Sequence, residues 1–131
     1  MTGSDYEREL KNTLEAEGFV VVRAAGSLGT GDLWAFHPVR GVLWLIECKK
    51  TRHDRFKISH DQKYKDQYLS LVEIARRGEA VPWFTVYYAV RFTRRGKPGK
   101  TWHFWRVPME AKQKWPVLHE NRGAFTMEAV C

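Results

Sequence analysis

A chain of 131 residues, of which 44% are hydrophobic and 14% aromatic, is long enough to bury a core. This composition excludes a disordered chain and favours a single domain over residues 1–131. Its 22 lysines and arginines outnumber 15 acidic residues, and the net charge of +7 attracts polyanions such as nucleic acid or an anionic membrane surface.

The N-terminal sequence and the cysteines favour an intracellular protein. Residues 1–18 are polar and helix-like, with neither a cationic start nor an apolar signal core, and no apolar run reaches membrane-spanning length. Cys48 and Cys131 form no CxxC pair and no disulfide framework, which fits a reducing cytosol. We therefore expect a cytoplasmic protein, not secreted, that meets nucleic acid rather than a membrane.

The first predicted element is a helix that ends near residue 17. Ser4 and Glu7 have the spacing of a capping box, Leu10 and Leu14 form an apolar stripe, and Gly18 is a typical residue after a helix end. A β-rich run at 19–23 and a glycine-rich loop at 24–31 follow.

Two apolar runs, 33–37 and 42–46, flank a credible hairpin turn at 38–41. Because both runs are apolar on both faces, we expect both strands in the centre of a covered sheet. After a basic connection at 50–57, a second capping-box spacing at Ser59 predicts a helix to about residue 77.

The remaining chain reads as a strand at 83–91, a basic loop at 93–100, a strand at 101–107 and a short helix at 108–115. The tail from 116 to 131 has no clear pattern. The element order α-β-β-β-α-β-β predicts an α/β domain with a central mixed β-sheet flanked by helices.

Glu47 and Lys49 are the first candidates for chemistry. Side chains two residues apart in a strand project from the same face, so these two lie together while Cys48 points away. More often, a charged pair at the end of an apolar strand only marks the point where the strand becomes exposed to solvent. Asp32 favours a functional role for the pair, because the hairpin would bring the strand that follows Asp32 beside the strand that ends at Glu47.

These residue types suit a divalent cation. Mg²⁺ prefers carboxylate, carbonyl and water oxygens, which Asp32, Glu47 and the backbone carbonyl of Cys48 could supply. The ion would polarise a phosphate and activate water, with Lys49 orienting that water or offsetting charge. Asp32 alone would be equally typical of a turn or cap.

Glu7 is a further candidate acid. It shares the inward stripe of the first helix with Leu10 and Leu14, so it could orient a metal-bound water. A carboxylate in the first turn is also favoured by the helix dipole and by the capping box, and the two roles are compatible.

Taken together, these residues resemble the archaeal-type Holliday junction resolvases, a branch of the PD-(D/E)xK nuclease superfamily. The likeness runs from residue 6 to about residue 91 and is carried by segments 6–10, 17–27, 32–33 and 46–49. It implies a restriction-endonuclease-like fold, a homodimer with two active sites, and dependence on Mg²⁺ or Mn²⁺. It also implies paired symmetric incisions in a four-way DNA junction.

The resemblance assigns roles by position. Asp32 and Glu47 match metal-binding acids, Lys49 matches the catalytic lysine, and Glu7 matches an additional acid on the helix. Matches to residues that hold DNA or order the active-site loop are Arg8, Arg23 and Ser27. Gln62 matches a supporting polar position on the second helix. The usual proline before the metal-binding aspartate is replaced by Gly31.

Basic groups at 49–57, 76–77 and 91–100 could hold DNA phosphates without reading sequence, although a solvated surface is the alternative for each. The first group follows the predicted active site directly in the chain. Its DNA-binding candidates are Lys50, Arg52, Arg55 and Lys57. Trp102, Phe104 and Trp105 could stack on unpaired bases, but core or dimer contacts are the commoner role.

The sequence therefore predicts a structure-selective, metal-dependent DNA endonuclease that resolves four-way junctions. Its catalytic core would span about 5–91, followed by a basic and aromatic hairpin and C-terminal extension at 92–131. One alternative is another nuclease of the superfamily, acting on flaps, damaged duplex or specific sites. The other is a non-catalytic DNA-binding module, which would need no buried acids facing a polyanion.

Overall fold

A six-stranded mixed β-sheet with one helix packed on each face forms the centre of the computed structural model. The structure describes residues 3–24, 32–93, 102–111, 114–120 and 125–126. Most of the predicted loops at 24–31 and 93–100, including Ser27, lies outside these residues. The predicted mixed sheet flanked by helices is confirmed.

The two helices are α1 (Gly3–Ala16) and α2 (Gln62–Arg77), and a 3₁₀ turn spans Ile58–His60. The strands are β1 (Val20–Arg23), β2 (Leu33–His37), β3 (Val42–Thr51), β4 (Arg55–Lys57), β5 (Phe84–Phe92), β6 (Trp102–Arg106), β7 (Val117–His119) and β8 (Phe125–Thr126). The sheet order is β1-β2-β3-β5-β6-β8, while β4 pairs with β7 in a separate two-stranded sheet.

Strands β2 and β3 form the predicted hairpin. They pair antiparallel, with Leu33 opposite Ile46 and His37 opposite Val42. Gly41 closes the turn with a φ of +68°, a conformation that glycine adopts without a steric penalty. The amide of Asp32, just before β2, donates a hydrogen bond to the carbonyl of Ile46, so Asp32 lies beside the residue that precedes Glu47.

The strand pairing changes from antiparallel to parallel between β3 and β5, which α2 connects. Strands β3 and β5 run parallel, so the chain needs a long crossover between them, and α2 supplies it. Its buried residues pack on one face of the sheet with Leu45 and Tyr88; they are Tyr68, Leu71, Val72 and Ala75. On the opposite face, Leu10 and Leu14 of α1 pack with Trp44.

Strand β3 is longer than predicted. It continues from Ile46 to Thr51, because its pairing with β5 extends as far as the Thr51–Phe92 pair. The prediction that β2 is covered on both faces is wrong. Trp34 is 38% exposed and Phe36 44% exposed, because α2 packs over β3 and β5 and leaves this part of the sheet open.

Both predicted helix caps are wrong. Helix α1 begins at Gly3, so Ser4 lies inside the helix. Helix α2 begins at Gln62 rather than near Ser59, since the backbone of Asp61 is extended and its side chain accepts a hydrogen bond from the amide of Lys63.

The region after β5 completes the sheet. Trp102 and Phe104 are 1% and 0% exposed and pack in the α1 cluster, and Trp105 is buried in the α2 cluster. These aromatic residues are therefore core residues. The predicted helix at 108–115 is absent from the described residues 108–111 and 114–115, where the chain instead leads into β7.

Within the described residues, neither helix combines the length and the apolar character needed to span a membrane.

Candidate active site

Asp32 is held firmly at the start of β2. Its amide donates a 2.9 Å hydrogen bond to the carbonyl of Ile46, and its own carbonyl accepts one from Ala24. Its Oδ2 accepts a 2.7 Å hydrogen bond from the amide of Cys48. The carboxylate is therefore oriented by the backbone of β3 through its Oδ2.

Glu47 is the most deeply buried acid of the site, with 2% of its surface exposed. Its Oε2 lies 3.5 Å from the Nζ of Lys49, the neighbouring side chain on the same face of β3. Burying a carboxylate is costly unless a cation or metal compensates its charge, and Lys49 supplies one such charge. The predicted pair of Glu47 and Lys49 thus exists in the fold.

Three groups converge on Lys49, which keeps only 11% of its side chain exposed. Besides the Glu47 contact, its Nζ donates a 2.7 Å hydrogen bond to the Oε1 of Gln67. The same nitrogen lies 4.8 Å from the centroid of the Tyr64 ring, within the range of a cation–π interaction. Helix α2 therefore holds the ammonium group over β3, an interior strand of the sheet.

Gln67 was not singled out by sequence reasoning. The available signal is its position on the inward stripe of α2, between Tyr64 and Leu71, where a polar residue needs a partner. Gln62, the predicted supporting residue, is exposed and donates a 2.9 Å hydrogen bond to Asp66.

Glu7 reaches the site from α1. Its Oε2 lies 2.9 Å from a terminal nitrogen of Arg23 on β1, so this pair ties the helix to the edge of the sheet. Arg8, the neighbouring basic candidate, is exposed and lies 3.8 Å from Asp5.

The thiol of Cys48 is partly buried and has a raised pKa. Its pKa is raised well above the usual range by burial and then by the carboxylates of Asp32, Glu47 and Glu7, with Lys49 opposing them. The thiol packs with the α1 cluster, as expected for a side chain that points away from Glu47.

A phenol also borders Glu47. Tyr88 of β5 is its direct neighbour across the parallel β3–β5 pair and is 3% exposed. Burial raises the pKa of Tyr88 far above its ordinary value, and the Glu47 carboxylate and Tyr68 raise it further. The phenol therefore keeps its proton and can donate a hydrogen bond.

A basic cavity of about 450 Å³ continues from the end of β3. Its cationic or titratable lining residues are Lys50, His53, Arg55, Lys57 and His60, and Tyr64 connects it to Lys49. The described lining contains no carboxylate. Arg52, another DNA-binding candidate, is exposed on the turn after β3.

The C-terminal part of the chain supports this cavity. Phe56 of β4 pairs with Leu118 of β7, and both side chains are buried in the α2 cluster. The amide of Glu120 donates a 3.0 Å hydrogen bond to the carbonyl of Asp54. Strand β7 therefore holds the basic segment in place.

The donor set fits a hard divalent cation. Among the described residues, no group of three or more histidine, cysteine, aspartate or glutamate side chains is arranged to hold a metal. Mg²⁺ does not require such a group, because it usually takes one or two carboxylates together with waters and substrate phosphate. Asp32 and Glu47, with the Cys48 carbonyl, supply oxygen donors of this kind.

Comparisons with known proteins agree with this geometry. The family model described as archaeal Holliday junction resolvase (Hjc) matches residues 1–129. The chain is 46% identical over 59 residues to the crossover junction endodeoxyribonuclease Hjc of Methanocaldococcus jannaschii. That alignment covers 45% of this chain and 42% of the relative, less than half of its length.

A solved structure is similar over nearly the whole chain. It is that of Archaeoglobus fulgidus Hjc, a Holliday junction resolvase from an archaeal hyperthermophile, with a TM-score of 0.69 and 25% sequence identity. The match covers 98% of this chain and 93% of the Archaeoglobus chain.

Proposed function

Because this chain belongs to the archaeal Holliday junction resolvase (Hjc) family, we propose that it is a metal-dependent endonuclease that cleaves four-way DNA junctions. It hydrolyses one phosphodiester in each of two opposing strands. The observation that supports this activity best is the buried carboxylate of Glu47, which lies beside the ammonium of Lys49 on the strand whose Cys48 amide holds the carboxylate of Asp32. A protein that only bound DNA would gain nothing from acids that repel phosphate.

Asp32 and Glu47, with the carbonyl of Cys48, are the residues that would hold one Mg²⁺ or Mn²⁺ ion. When bound, such an ion supplies Lewis acidity at the scissile phosphate and a water of lowered pKa. Asp32 enters this role already oriented by its hydrogen bond from Cys48, so little reorganisation is required.

Lys49 and Glu7 assist at the reacting phosphate. The ammonium group of Lys49, held by Gln67 and Tyr64, offsets the negative charge that develops on the phosphate oxygens. Glu7 orients the attacking water from the α1 side, and its ion pair with Arg23 fixes the carboxylate for that task.

The DNA backbone is bound by the basic residues beside the catalytic acids. The cavity that contains Lys50, Arg55 and Lys57 begins directly after Lys49 and carries positive charge away from the catalytic acids. Arg52, Arg8, Arg23 and Ser27 complete the proposed DNA-binding set. Binding of this kind depends on counterion release, so junction affinity falls steeply as salt increases.

Two opposing incisions require two active sites, and a homodimer supplies them. An exposed apolar surface on β1, β2 and the residue just before β5 supports this proposal. Val22 is 60% exposed, Trp34 38%, Phe36 44% and Trp83 52%. Register pairs Val22 with Trp34 and sets Phe36 beside Leu43, so these side chains form one continuous patch, which we call the β1–β2 face.

Residues 1–131 act as one domain located with DNA in the cytoplasm. The single-domain proposal is supported by Trp102 and Phe104, which share a hydrophobic cluster with Leu10 of α1. Residues after 92 thus contribute to the same core as the catalytic strands.

The decisive experiment is cleavage of an immobile four-way junction in Mg²⁺, beside a matched linear duplex and a flap. We expect paired symmetric nicks in the junction alone. Glu47→Gln should lower the rate by about 100-fold or more, because it removes a metal-binding charge, while junction binding persists. Cleavage of the flap or duplex would favour another nuclease activity of the superfamily. Tight binding without cleavage in Mg²⁺ or Mn²⁺ would favour an architectural DNA-binding protein.

A further inference from the structure

The hydroxyl of Tyr88 is a buried polar group that the proposed mechanism leaves without a role. Tyr88 is 3% exposed, and its hydroxyl has no hydrogen-bond partner among the described residues. More than nine in ten buried polar groups in proteins are paired, since an unpaired one is destabilising. Phenylalanine would fill the same space without this penalty, so the hydroxyl calls for an explanation.

The position of Tyr88 in the sheet explains its hydroxyl. It is the register partner of Glu47 across the parallel β3–β5 pair, and neighbouring strands lie only about 4.8 Å apart. Leu45 and Tyr88 belong to the same cluster under α2, and Glu47 follows Leu45 by two residues. Alternation along the strand therefore puts Glu47 and Tyr88 on one face of the sheet, as direct neighbours.

The carboxylate beside this hydroxyl has to serve two cations. In the structure Glu47 lies 3.5 Å from the ammonium of Lys49, and only 3% of its side chain is exposed. A divalent ion would have to share this carboxylate with the Lys49 ammonium in a nearly closed space. A donor beside it determines which oxygen is free for the ion and which one is held.

We propose that Tyr88 is a positioning residue whose hydroxyl donates a hydrogen bond to the Glu47 carboxylate when that carboxylate binds a divalent cation. The inference rests on the proposed function of Glu47 as a metal ligand. Groups that hydrogen-bond to metal ligands orient them and raise metal affinity, and losing one typically costs 10–100-fold in affinity or activity.

The test compares Tyr88→Phe with Tyr87→Phe. The first substitution removes only the hydroxyl beside Glu47. The second removes a hydroxyl from the adjacent residue of β5, whose ring packs against Trp44 and Phe104 on the opposite face. The primary measurement is the affinity for Mn²⁺ without DNA, by isothermal titration calorimetry, and single-turnover junction cleavage over a range of Mg²⁺ concentrations accompanies it.

For Tyr88→Phe we expect a 10–100-fold weaker affinity for Mn²⁺ and a cleavage rate that recovers as Mg²⁺ is raised. Its junction affinity in EDTA should match the wild type, and its thermal midpoint should not fall, because no satisfied hydrogen bond is lost. Tyr87→Phe should bind Mn²⁺ as the wild type does.

Wild-type Mn²⁺ affinity in Tyr88→Phe, or an equal loss in Tyr87→Phe, would overturn the inference. Glu47→Gln separates this failure from a failure of the proposed function. If Glu47→Gln loses Mn²⁺ binding while Tyr88→Phe keeps it, only the role of Tyr88 is wrong. If Glu47→Gln binds Mn²⁺ normally, Glu47 is not a metal ligand and both proposals fall.

Discussion

At the scale of single residues, Lys49 depends on its neighbours for its orientation. A lysine side chain has about 2 kcal/mol of rotamer entropy to lose when it is fixed. Here the Nζ is held at 2.7 Å from Gln67 and 3.5 Å from Glu47, with the Tyr64 ring 4.8 Å away. These contacts offset that entropy and keep the charge where a phosphate would bind.

Gln67→Ala tests this arrangement. We expect the junction cleavage rate to fall by about 10-fold or more with unchanged junction affinity, since a hydrogen bond to a charged group contributes about 1.5–3 kcal/mol. Rates are measured under single-turnover conditions, beside Gln62→Ala on the same helix. A larger loss in Gln62→Ala would favour Gln62 as the supporting residue instead.

At the scale of secondary-structure elements, one carboxylate ties α1 to the sheet. The Oε1 of Glu9 accepts hydrogen bonds from Arg91 of β5 at 2.9 Å and from the indole of Trp102 of β6 at 3.2 Å. Arg91 is only 8% exposed, so its charge depends on this partner. The tie sets the position of the helix that carries Glu7.

Glu9→Ala should therefore destabilise the fold by about 3 kcal/mol, because it leaves a buried arginine without its acid. The control is Glu15→Ala on the same helix, where an exposed pair with Lys11 at 3.3 Å should contribute less than about 1 kcal/mol. Urea unfolding followed by circular dichroism measures both. Equal effects of the two substitutions would show that the Glu9 contacts do not stabilise the fold.

At the scale of the whole molecule, the β1–β2 face is the open side of an otherwise covered sheet. Helix α2 packs over β3 and β5, while Trp34 and Phe36 of β2 remain exposed. Large exposed apolar patches usually mark an interaction surface. A second copy on this face would give the proposed enzyme its two active sites.

Phe36→Glu is expected to convert the proposed dimer to a monomer, because the new charge would be buried at the contact. Sedimentation velocity measures the mass, and junctions cut by the variant should carry single, uncoupled nicks. Val39→Glu, at the 88% exposed position of the neighbouring turn, is the matched control and should stay dimeric. A dimeric Phe36→Glu variant would contradict the proposed contact surface.

The sequence by itself determined the features that depend on short-range patterns. Alternation in the strands and the turn at 38–41 were enough to predict the hairpin of β2 and β3, and the structure contains this hairpin. The family resemblance and the mixed sheet are confirmed as well. The roles of all the predicted site residues, Arg8 and Ser27 among them, stay predictions.

Only the tertiary structure decided the contacts between distant segments. Gln67 meets Lys49, Glu9 meets Arg91, and Tyr88 lies beside Glu47 because separate elements pack or pair in the fold. No local pattern encodes such contacts. The same reason explains Trp102, a possible stacking residue in the sequence and a buried core residue in the structure. Its environment is set by α1, which lies more than eighty positions earlier in the chain.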